Sequence, residues 1–173
     1  MMTFEDAFED LVKDMYSAET QVLEALPKAA QAAENEQLRS AFETHRMETQ
    51  EHVARLKKVA ETCGFEPTGK ECKAAKGLIE EMSEIIKEGE TGAVRDAMLI
   101  CGAQKFEHYE IANYGTALTW ANMLGKTDCM MLLQETLEEE EMTDENLSAI
   151  AESVVNPEAE SESESMRGKA SMK

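Results

Sequence analysis

Residues 35–63 read NEQLRSAFETHRMETQEHVARLKKVAETC, and this stretch carries the helical pattern on which the fold depends. Every third or fourth side chain falls on a single stripe, because an α-helix of 3.6 residues per turn brings such positions to one face. The stripe is apolar at both ends and polar in the middle, in the order Leu38, Phe42, His45, Thr49 or Glu48, His52, Leu56, Val59 and Cys63. The pattern predicts a long helix that turns polar side chains toward a core.

The rest of the 173-residue chain shows the same preference for helix. Aromatic residues make up 5% of it, and it contains 9 Gly and 3 Pro, a composition that disfavours a turn-rich β-sandwich. We expect Pro27 to kink the first helix or end it early, and residues 64–69 to form a loop. The predicted helices run from about Thr3 to Glu34, Asn35 to Thr62, Cys72 to Glu88, Thr91 to Met123 and Thr127 to Val155.

The lengths of the connections predict an all-α fold. Two pairs of long helices with tight turns, joined by a long connection over residues 63–90, are typical of a four-helix bundle with one crossover. This connection would carry an extra short helix, the one predicted from about Cys72 to Glu88. Residues 1–155 would form this bundle. Residues 156–173 lack an apolar period, so we expect a flexible acidic and polar C-terminal tail.

Charge and cysteine usage narrow the function classes. Acids outnumber bases 36 to 17, and the net charge of −19 repels nucleic-acid phosphates and anionic lipid headgroups. No apolar run is long enough for a membrane span, and the acidic N-terminus is unlike a signal or transit peptide. The four scattered cysteines predict free thiols and a cytoplasmic protein, with a Cys63–Cys72 disulfide as the alternative.

Carboxylates interrupt the apolar stripe of each of the other long helices. Glu19 does so in the first, Glu107 in the third, and Glu140 and Asp144 in the fourth. Counted at ~1.5 Å per residue, these groups and those of the second helix lie roughly 20–28 Å from the turn of their own hairpin. One such carboxylate is ordinarily a helix-edge residue that reaches solvent. The agreement in depth across four helices favours a shared polar site.

Several buried carboxylates at one level must share protons, pair with bases or bind cations, because each buried charge costs several kcal/mol. The stripes supply no matching bases, and Arg55 and Lys105 are peripheral. We therefore predict a dinuclear site for two iron or manganese ions per chain, since oxygen ligands with imidazole suit these metals. The predicted ligands are Glu19, Glu48, His52, Glu107, Glu140 and Asp144.

Other polar residues near this level have more than one interpretation. Glu110 can replace Glu107 as a ligand, and His45 and His108 can be ligands, supporting partners or core histidines. A set of acids in the fourth helix forms either a solvated face or an access route for cations: Glu135, Glu138, Glu139 and Glu141.

A set of motifs occurs in order along the chain: residues 14–19 with Gln21, 45–49, 77–81, 94–97, 107–112 with 114–116, and 133–137 through Asp144. With these motifs the sequence resembles the YciE/YciF family of bacterial stress-associated proteins over roughly residues 3–155. The resemblance implies a ferritin-like fold, membership of a family commonly labelled ferroxidases, and a homodimer.

The resemblance also allows a comparison with the common di-iron pattern, in which two helices carry one Glu each and two carry Glu-x-x-His. Glu19 and Glu107 fit the single positions. The second helix offers Glu48 with His52, and the fourth offers Glu140 with Asp144, both at a spacing of four instead of three. The predicted site is therefore richer in carboxylates than the pattern.

Three functions are compatible with this reading. The first is a cytoplasmic ferritin-like dimer that oxidises Fe(II) with dioxygen or peroxide, with Tyr16 and Tyr114 as redox or hydrogen-bonding groups near the site. The second is a metal buffer or structural metalloprotein without turnover. The third is a metal-free interaction module.

Overall fold

The computed structural model describes residues 1–88 and 91–171, and the regular elements within those ranges are all helical. The prediction of an all-α protein is confirmed. Glu90, the end of the predicted connection, lies outside the described residues. The helices are α1 (Phe4–Ala32), α2 (Glu36–Cys63), α3 (Lys73–Glu88), α4 (Ala93–Met123), α5 (Thr127–Ile150) and α6 (Asn156–Ser171), with a π-helical turn at Ala151–Val155.

The ends of the long helices follow local capping signals. Thr3 and Asp6 form a reciprocal capping box at the start of α1, and the Asn35 side chain accepts the first free amides of α2. Gly64 ends α2 with a φ of 82°, a left-handed conformation that favours glycine. Pro27 does not end α1, because Leu26 and Ala29 on either side of it are buried and hold the helix against the core.

Pairs of contacts fix the directions of the four long helices. Phe4 stacks near Trp120, with ring centroids 5.3 Å apart, while the other end of α1 meets the start of α4, so these two helices are antiparallel. The Cys63 and Cys129 sulfurs lie 3.5 Å apart and His52 contacts Glu139, so α2 and α5 are antiparallel as well. Helix α3 lies outside, against α1 and α4.

Asp96 sets the register between the two hairpins. This buried carboxylate in the first turn of α4 accepts the backbone N–H of Glu34 at 3.0 and 3.1 Å and that of Asn35 at 2.7 Å. Its neighbour Arg95 donates to the Ala32 carbonyl at 2.6 Å. The turn between α1 and α2 is thereby attached to the start of α4. No pattern in the sequence predicts this contact.

Residues 156–171, which the sequence predicts to be a flexible acidic and polar tail, form the helix α6. Pro157 lacks an N–H and its ring would clash with the carbonyl four residues back in a regular α-helix. The π-helical turn before it widens the backbone, and the Asn156 N–H donates to the Ala151 carbonyl five residues back. The chain therefore continues past Pro157, and Glu162 of α6 accepts the Ala93 N–H at 3.0 Å.

A belt of buried polar side chains divides the core in two. One apolar cluster surrounds Leu38, Phe42 and Leu99, and the other surrounds Val12, Leu56 and Leu133. The belt between them consists of Glu19, His45, Thr49, His52, Glu107, Glu110, Thr136 and Glu140, none more than 3% exposed. The packing thus places charged groups where water has least access.

The four cysteines are free thiols, so the alternative of a Cys63–Cys72 disulfide is not found. Among the described helices, none combines the length and apolarity that a bilayer span requires.

Candidate metal centre

The polar belt gathers six side chains that can bind metal into two overlapping groups. Glu19, His52 and Glu140 form the first group. His45, Glu107, Glu110 and the same Glu140 form the second. Within each group the candidate ligand atoms all lie within 4.8 Å of one another, so each group is compact enough for one ion. Because Glu140 belongs to both, the two groups form one continuous cluster.

Each helix supplies its ligands from the face that points inward. His45 and His52 are seven residues apart on α2, which leaves them only about 20° apart around the helix. Glu107 and Glu110 are three apart on α4 and also share a face. Glu19 comes from α1 and Glu140 from α5, so all four long helices contribute.

The distances show Glu140 between the two imidazoles. The Nδ1 atom of His52 is 3.0 Å from Oε1 of Glu140 and 3.4 Å from Oε1 of Glu19. The Nε2 atom of His45 is 3.9 Å from Oε2 of Glu140 and 3.4 Å from Oε1 of Glu107. The two oxygens of one carboxylate therefore face different histidines.

The inner atoms of this cluster make no hydrogen bond, although several lie at ion-pair distance. They are Glu19 Oε2, His45 Nε2, His52 Nδ1, Glu107 Oε2, and both carboxylate oxygens of Glu110 and of Glu140. A buried polar atom without a partner normally costs about 1–3 kcal/mol. Unpaired buried groups of this kind call for an explanation, and a bound ion is one that would satisfy all of them together.

The outer nitrogen of each histidine has an acidic or hydroxyl partner. The Nε2 atom of His52 is 2.8 Å from Oε2 of Glu139, and the guanidinium of Arg55 holds that carboxylate with contacts of 2.5 and 3.0 Å. On His45, Nδ1 is 3.3 Å from the Thr143 hydroxyl and 3.7 Å from Glu48 Oε2. A proton held on the outer nitrogen leaves the inner nitrogen free as a metal ligand.

Tyr114 supports the first group from the other side. Its buried hydroxyl donates a short hydrogen bond to Oε1 of Glu19, which leaves Oε2 of the same carboxylate facing the cluster. Tyr16, the other tyrosine that the sequence suggested, packs against the apolar cluster around Val12. Of these two tyrosines, Tyr114 is the one for which a side-chain hydrogen bond to a candidate ligand is seen among the described residues.

Burial and mutual charge shift the pKa values throughout the cluster. Burial raises the pKa of the Glu19 carboxyl and raises those of Glu107 and Glu110 well above their usual range. Burial opposes the charged form of His45 and His52 too. Even so, Glu107 raises the pKa of His45 to about 9, and Glu19 with Glu140 raises that of His52 to about 11.

Glu140 differs from the other carboxylates. Burial opposes its ionisation, but the two histidines beside it lower its pKa below the usual range. In the metal-free site these shifts favour the protonated forms of His45, His52, Glu107 and Glu110 and the ionised form of Glu140. Metal ions would compete with these protons, because ligands must lose their protons to bind.

Four of the six predicted ligands come together in the structure: Glu19, His52, Glu107 and Glu140. The alternatives His45 and Glu110 join them in the second group. His108, by contrast, has a side chain that is 70% exposed and stands 3.2 Å from Asp144, away from both groups.

Glu48 and Asp144 also lie outside both groups. The Glu48 side chain is 37% exposed and borders His45 from outside. Asp144 is 21% exposed and accepts a hydrogen bond from Gln104 at 3.0 Å. Each of these two residues lies one turn from a buried candidate ligand on its own helix, but at the edge of the inward face, where its side chain is partly exposed to solvent.

Glu139 and Arg55 support the cluster from outside, through His52. The sequence pattern predicts Glu139 on a solvated face or cation route and Arg55 at the periphery. A usable signal was the position of Arg55, three residues after His52 on the same helix.

These observations define the class: an all-helical protein with a buried carboxylate and imidazole cluster shared by four long helices. The pattern of the DUF892 family, described as a domain of unknown function, matches residues 3–160. The chain belongs to this family.

Individual relatives agree with this assignment and with the resemblance to YciE/YciF proteins. Over 161 residues the chain is 47% identical to protein YciF of Escherichia coli strain K12, covering 92% of this chain and 97% of YciF. The crystal structure of the E. coli stress protein YciF matches with a TM-score of 0.87 over 90% of this chain and 99% of that one.

Two further solved structures are similar. YcfI from Rhodopseudomonas palustris is 39% identical, with a TM-score of 0.82 over 84% of this chain and 93% of YcfI. A protein from Xanthomonas campestris pv. campestris is 18% identical, with a TM-score of 0.76 over 93% of this chain and 99% of its own. At that identity the likeness extends to the fold alone.

Proposed function

We propose that the protein is a cytoplasmic dinuclear metal protein with a ferritin-like four-helix bundle, in which α3 lies on the crossover. Its ligands are Glu19, His45, His52, Glu107, Glu110 and Glu140. The observation that carries the proposal is the set of eight unpartnered nitrogen and oxygen atoms that these six buried side chains hold together.

The donor set fits two iron or manganese ions. One imidazole and Glu19 serve the first ion, another imidazole with Glu107 and Glu110 serves the second, and Glu140 is shared. Oxygen donors with imidazole suit iron and manganese. Four carboxylates and two divalent ions also sum to zero charge, which removes the repulsion that raises the carboxyl pKa values in the metal-free site.

The residues around the cluster favour an oxidation reaction. We propose that Fe(II) is the substrate. Two Fe(II) ions give one electron each, and these two electrons with two protons reduce dioxygen to hydrogen peroxide, or hydrogen peroxide to two water molecules. Ionised carboxylates favour the more highly charged oxidised metal. Tyr114 restrains Glu19, and Glu139 with Arg55 restrains His52, so the ligands keep their orientation. The apolar clusters above and below the belt exclude water from it.

A groove between α2 and α5 offers hydrated cations a route to this site. Its volume is about 800 Å³, and its lining includes Glu48, Glu139 and Thr143. These three side chains contact the outer nitrogens of His45 and His52. The groove therefore ends beside the proposed ligands, and its carboxylates attract cations.

Metal analysis of protein purified without chelators tests the proposal, together with anaerobic reconstitution by Fe(II) or Mn(II). We expect about two ions per chain, as the two overlapping groups require. No bound metal after reconstitution, with no rise in melting temperature, would refute it, since a ligand of the folded state must stabilise that state. Two bound ions without Fe(II)-dependent oxygen consumption would indicate a metal buffer or structural metalloprotein.

The homodimer is a separate part of the proposal. Light scattering on the reconstituted protein measures its mass directly, and we expect twice the chain mass of 19.3 kDa. A mass of one chain would contradict the dimer without affecting the metal site.

A further inference from the structure

A small cavity adjoins the polar belt on the side away from the acidic groove. It lies among α1, α2, α3 and α4 and has a volume of about 40 Å³. Its lining is apolar apart from one carboxylate, Glu107, and includes Val22, Ala25, Phe42, Met82 and Phe106. Glu107 is a member of the second metal-binding group, so the cavity touches the proposed site directly.

The chemistry of the lining favours an apolar occupant over water. A cavity needs only about 10–15 Å³ to admit a water molecule, but the water also needs two to four polar partners. One carboxylate supplies too few. Apolar cavities of this kind stay dry and take up apolar atoms such as xenon.

Helix α3 packs closely on α4 beside this cavity. A Cβ atom at Gly102 would stand 2.9 Å from the terminal methyl group of Met82, so α3 approaches α4 more closely than a side chain at that position would allow. Met82 is also part of the cavity lining, and methionine is a flexible apolar side chain that adapts to the space around it. Movement of this one side chain therefore changes the room available in the cavity.

The two sides of the polar belt thus differ in polarity. The groove between α2 and α5 carries carboxylates, whereas the cavity under α3 is apolar. We infer that this cavity is a binding site for dioxygen, a small apolar diatomic molecule, on the opposite side of the metal cluster from the cation route. The inference rests on the proposed function, in which dioxygen oxidises Fe(II) at the site that includes Glu107.

Xenon is the probe for this site, because it binds apolar cavities whether or not metal is present. We would compare metal-free wild type, Ala25→Leu and Ala41→Leu by 129Xe NMR and in xenon-pressurised crystals. Ala25 lines the cavity and Ala41 lines the acidic groove, both are partly buried in helices, and both changes add the same volume. Ala103→Val, also in the cavity lining, serves if Ala25→Leu does not fold.

We expect xenon next to Glu107 in the wild type and in Ala41→Leu, and its loss in the cavity variant. Absence of xenon from the wild type, or xenon that Ala25→Leu or Ala103→Val leaves in place, would overturn the inference. In metal-loaded protein the cavity variant should lower the dioxygen-dependent rate severalfold at unchanged metal content. Failure of the metal site itself would appear separately, as no ions bound by the wild type.

Discussion

His45 and His52 present opposite ring nitrogens to the two oxygens of Glu140. Nε2 of His45 lies 3.9 Å from one oxygen, and Nδ1 of His52 lies 3.0 Å from the other. Two residues on one face of α2 can do this because each ring is turned by its outer partner, Glu139 in one case and Thr143 with Glu48 in the other. Glu140 is thereby the residue on which both proposed ion positions depend.

Replacing Glu140 should therefore remove both ions together. Glu140→Gln keeps the size of the side chain but loses the negative charge, so we expect the metal content of reconstituted protein to fall from about two ions per chain to near zero. Glu141→Gln is the matched control, because Glu141 is the exposed neighbour. Retention of one full equivalent in Glu140→Gln would show that the carboxylate is not shared.

The candidate ligands in the structure include Glu110 but not Glu48, whereas the sequence predicts Glu48 as a ligand and Glu110 as an alternative. Glu110 is buried with both oxygens unpaired, whereas Glu48 only borders His45. We expect Glu110→Gln to lose one ion per chain. Glu48→Gln should keep two and weaken binding about 10–100-fold, as loss of a supporting partner does. Metal titration with elemental analysis measures both, and loss of an ion in Glu48→Gln alone would restore the sequence-based assignment.

Raising the pH should destabilise the metal-free protein. The pKa values of His45 and His52 in the fold are about 9 and about 11, above the ordinary 6.5, so the folded state binds more protons than the unfolded state. Their stabilising contribution is complete below pH 6.5 and is lost as the pH rises through these two values. The raised pKa values of Glu107 and Glu110 act in the same direction.

Melting temperatures of chelator-treated protein, measured from neutral to alkaline pH, test this dependence. We expect a decline for the metal-free form and a much flatter profile for the loaded form, whose ligands are already deprotonated. A melting temperature that rises with pH in the metal-free protein would contradict the proton assignment.

Asp96 should be one of the most stabilising polar residues outside the metal site. Asp96→Ala leaves the amides of Glu34 and Asn35 without an acceptor, and hydrogen bonds to charged groups contribute about 1.5–3 kcal/mol each. Asp128→Ala is the control, since Asp128 also occupies the first turn of a helix but is exposed. Measured by urea denaturation, the free energy of unfolding should fall by about 3 kcal/mol or more in Asp96→Ala and by less than about 1 kcal/mol in the control.

The thiols should differ sharply in reactivity. Burial and the neighbouring Cys63 raise the pKa of Cys129 to about 12, so almost none of it is thiolate at neutral pH. Cys101 is exposed. Timed alkylation with iodoacetamide, followed by peptide mass spectrometry, should label Cys101 first and leave Cys129 unmodified in the native state. Early labelling of Cys129 would show that the α2–α5 end opens readily.

The sequence predicted the helices and the depth of the site better than it predicted the individual ligands. Depth follows from a fixed rise per residue, so Glu19, His52, Glu107 and Glu140 were correctly expected at one level. Which residue at that level points inward depends on the rotation of each helix. This rotation places His45 inward on α2 and leaves Glu48 at the edge of the helix, and it turns both Glu107 and Glu110 of α4 inward.

The helical structure of residues 156–171 was not predicted, for a different reason. Composition indicated an irregular chain after Pro157, and no local signal announces a π-helical turn that accommodates the proline. The contact between Asp96 and the turn that joins α1 to α2 could not be predicted from the sequence either. An acid in the first turn of a helix is usually explained by the helix dipole alone.

The contact between Glu162 and the Ala93 amide has a consequence for how the chain is made. Gly92, the residue before α4, contributes no side-chain cap, so the amide at the start of that helix takes its acceptor from a residue 69 positions later. Protein synthesis proceeds from the N-terminus, and earlier segments begin to fold first. On the ribosome α4 is therefore synthesised before this acceptor exists, and the hydrogen bond forms only after residue 162 has been translated.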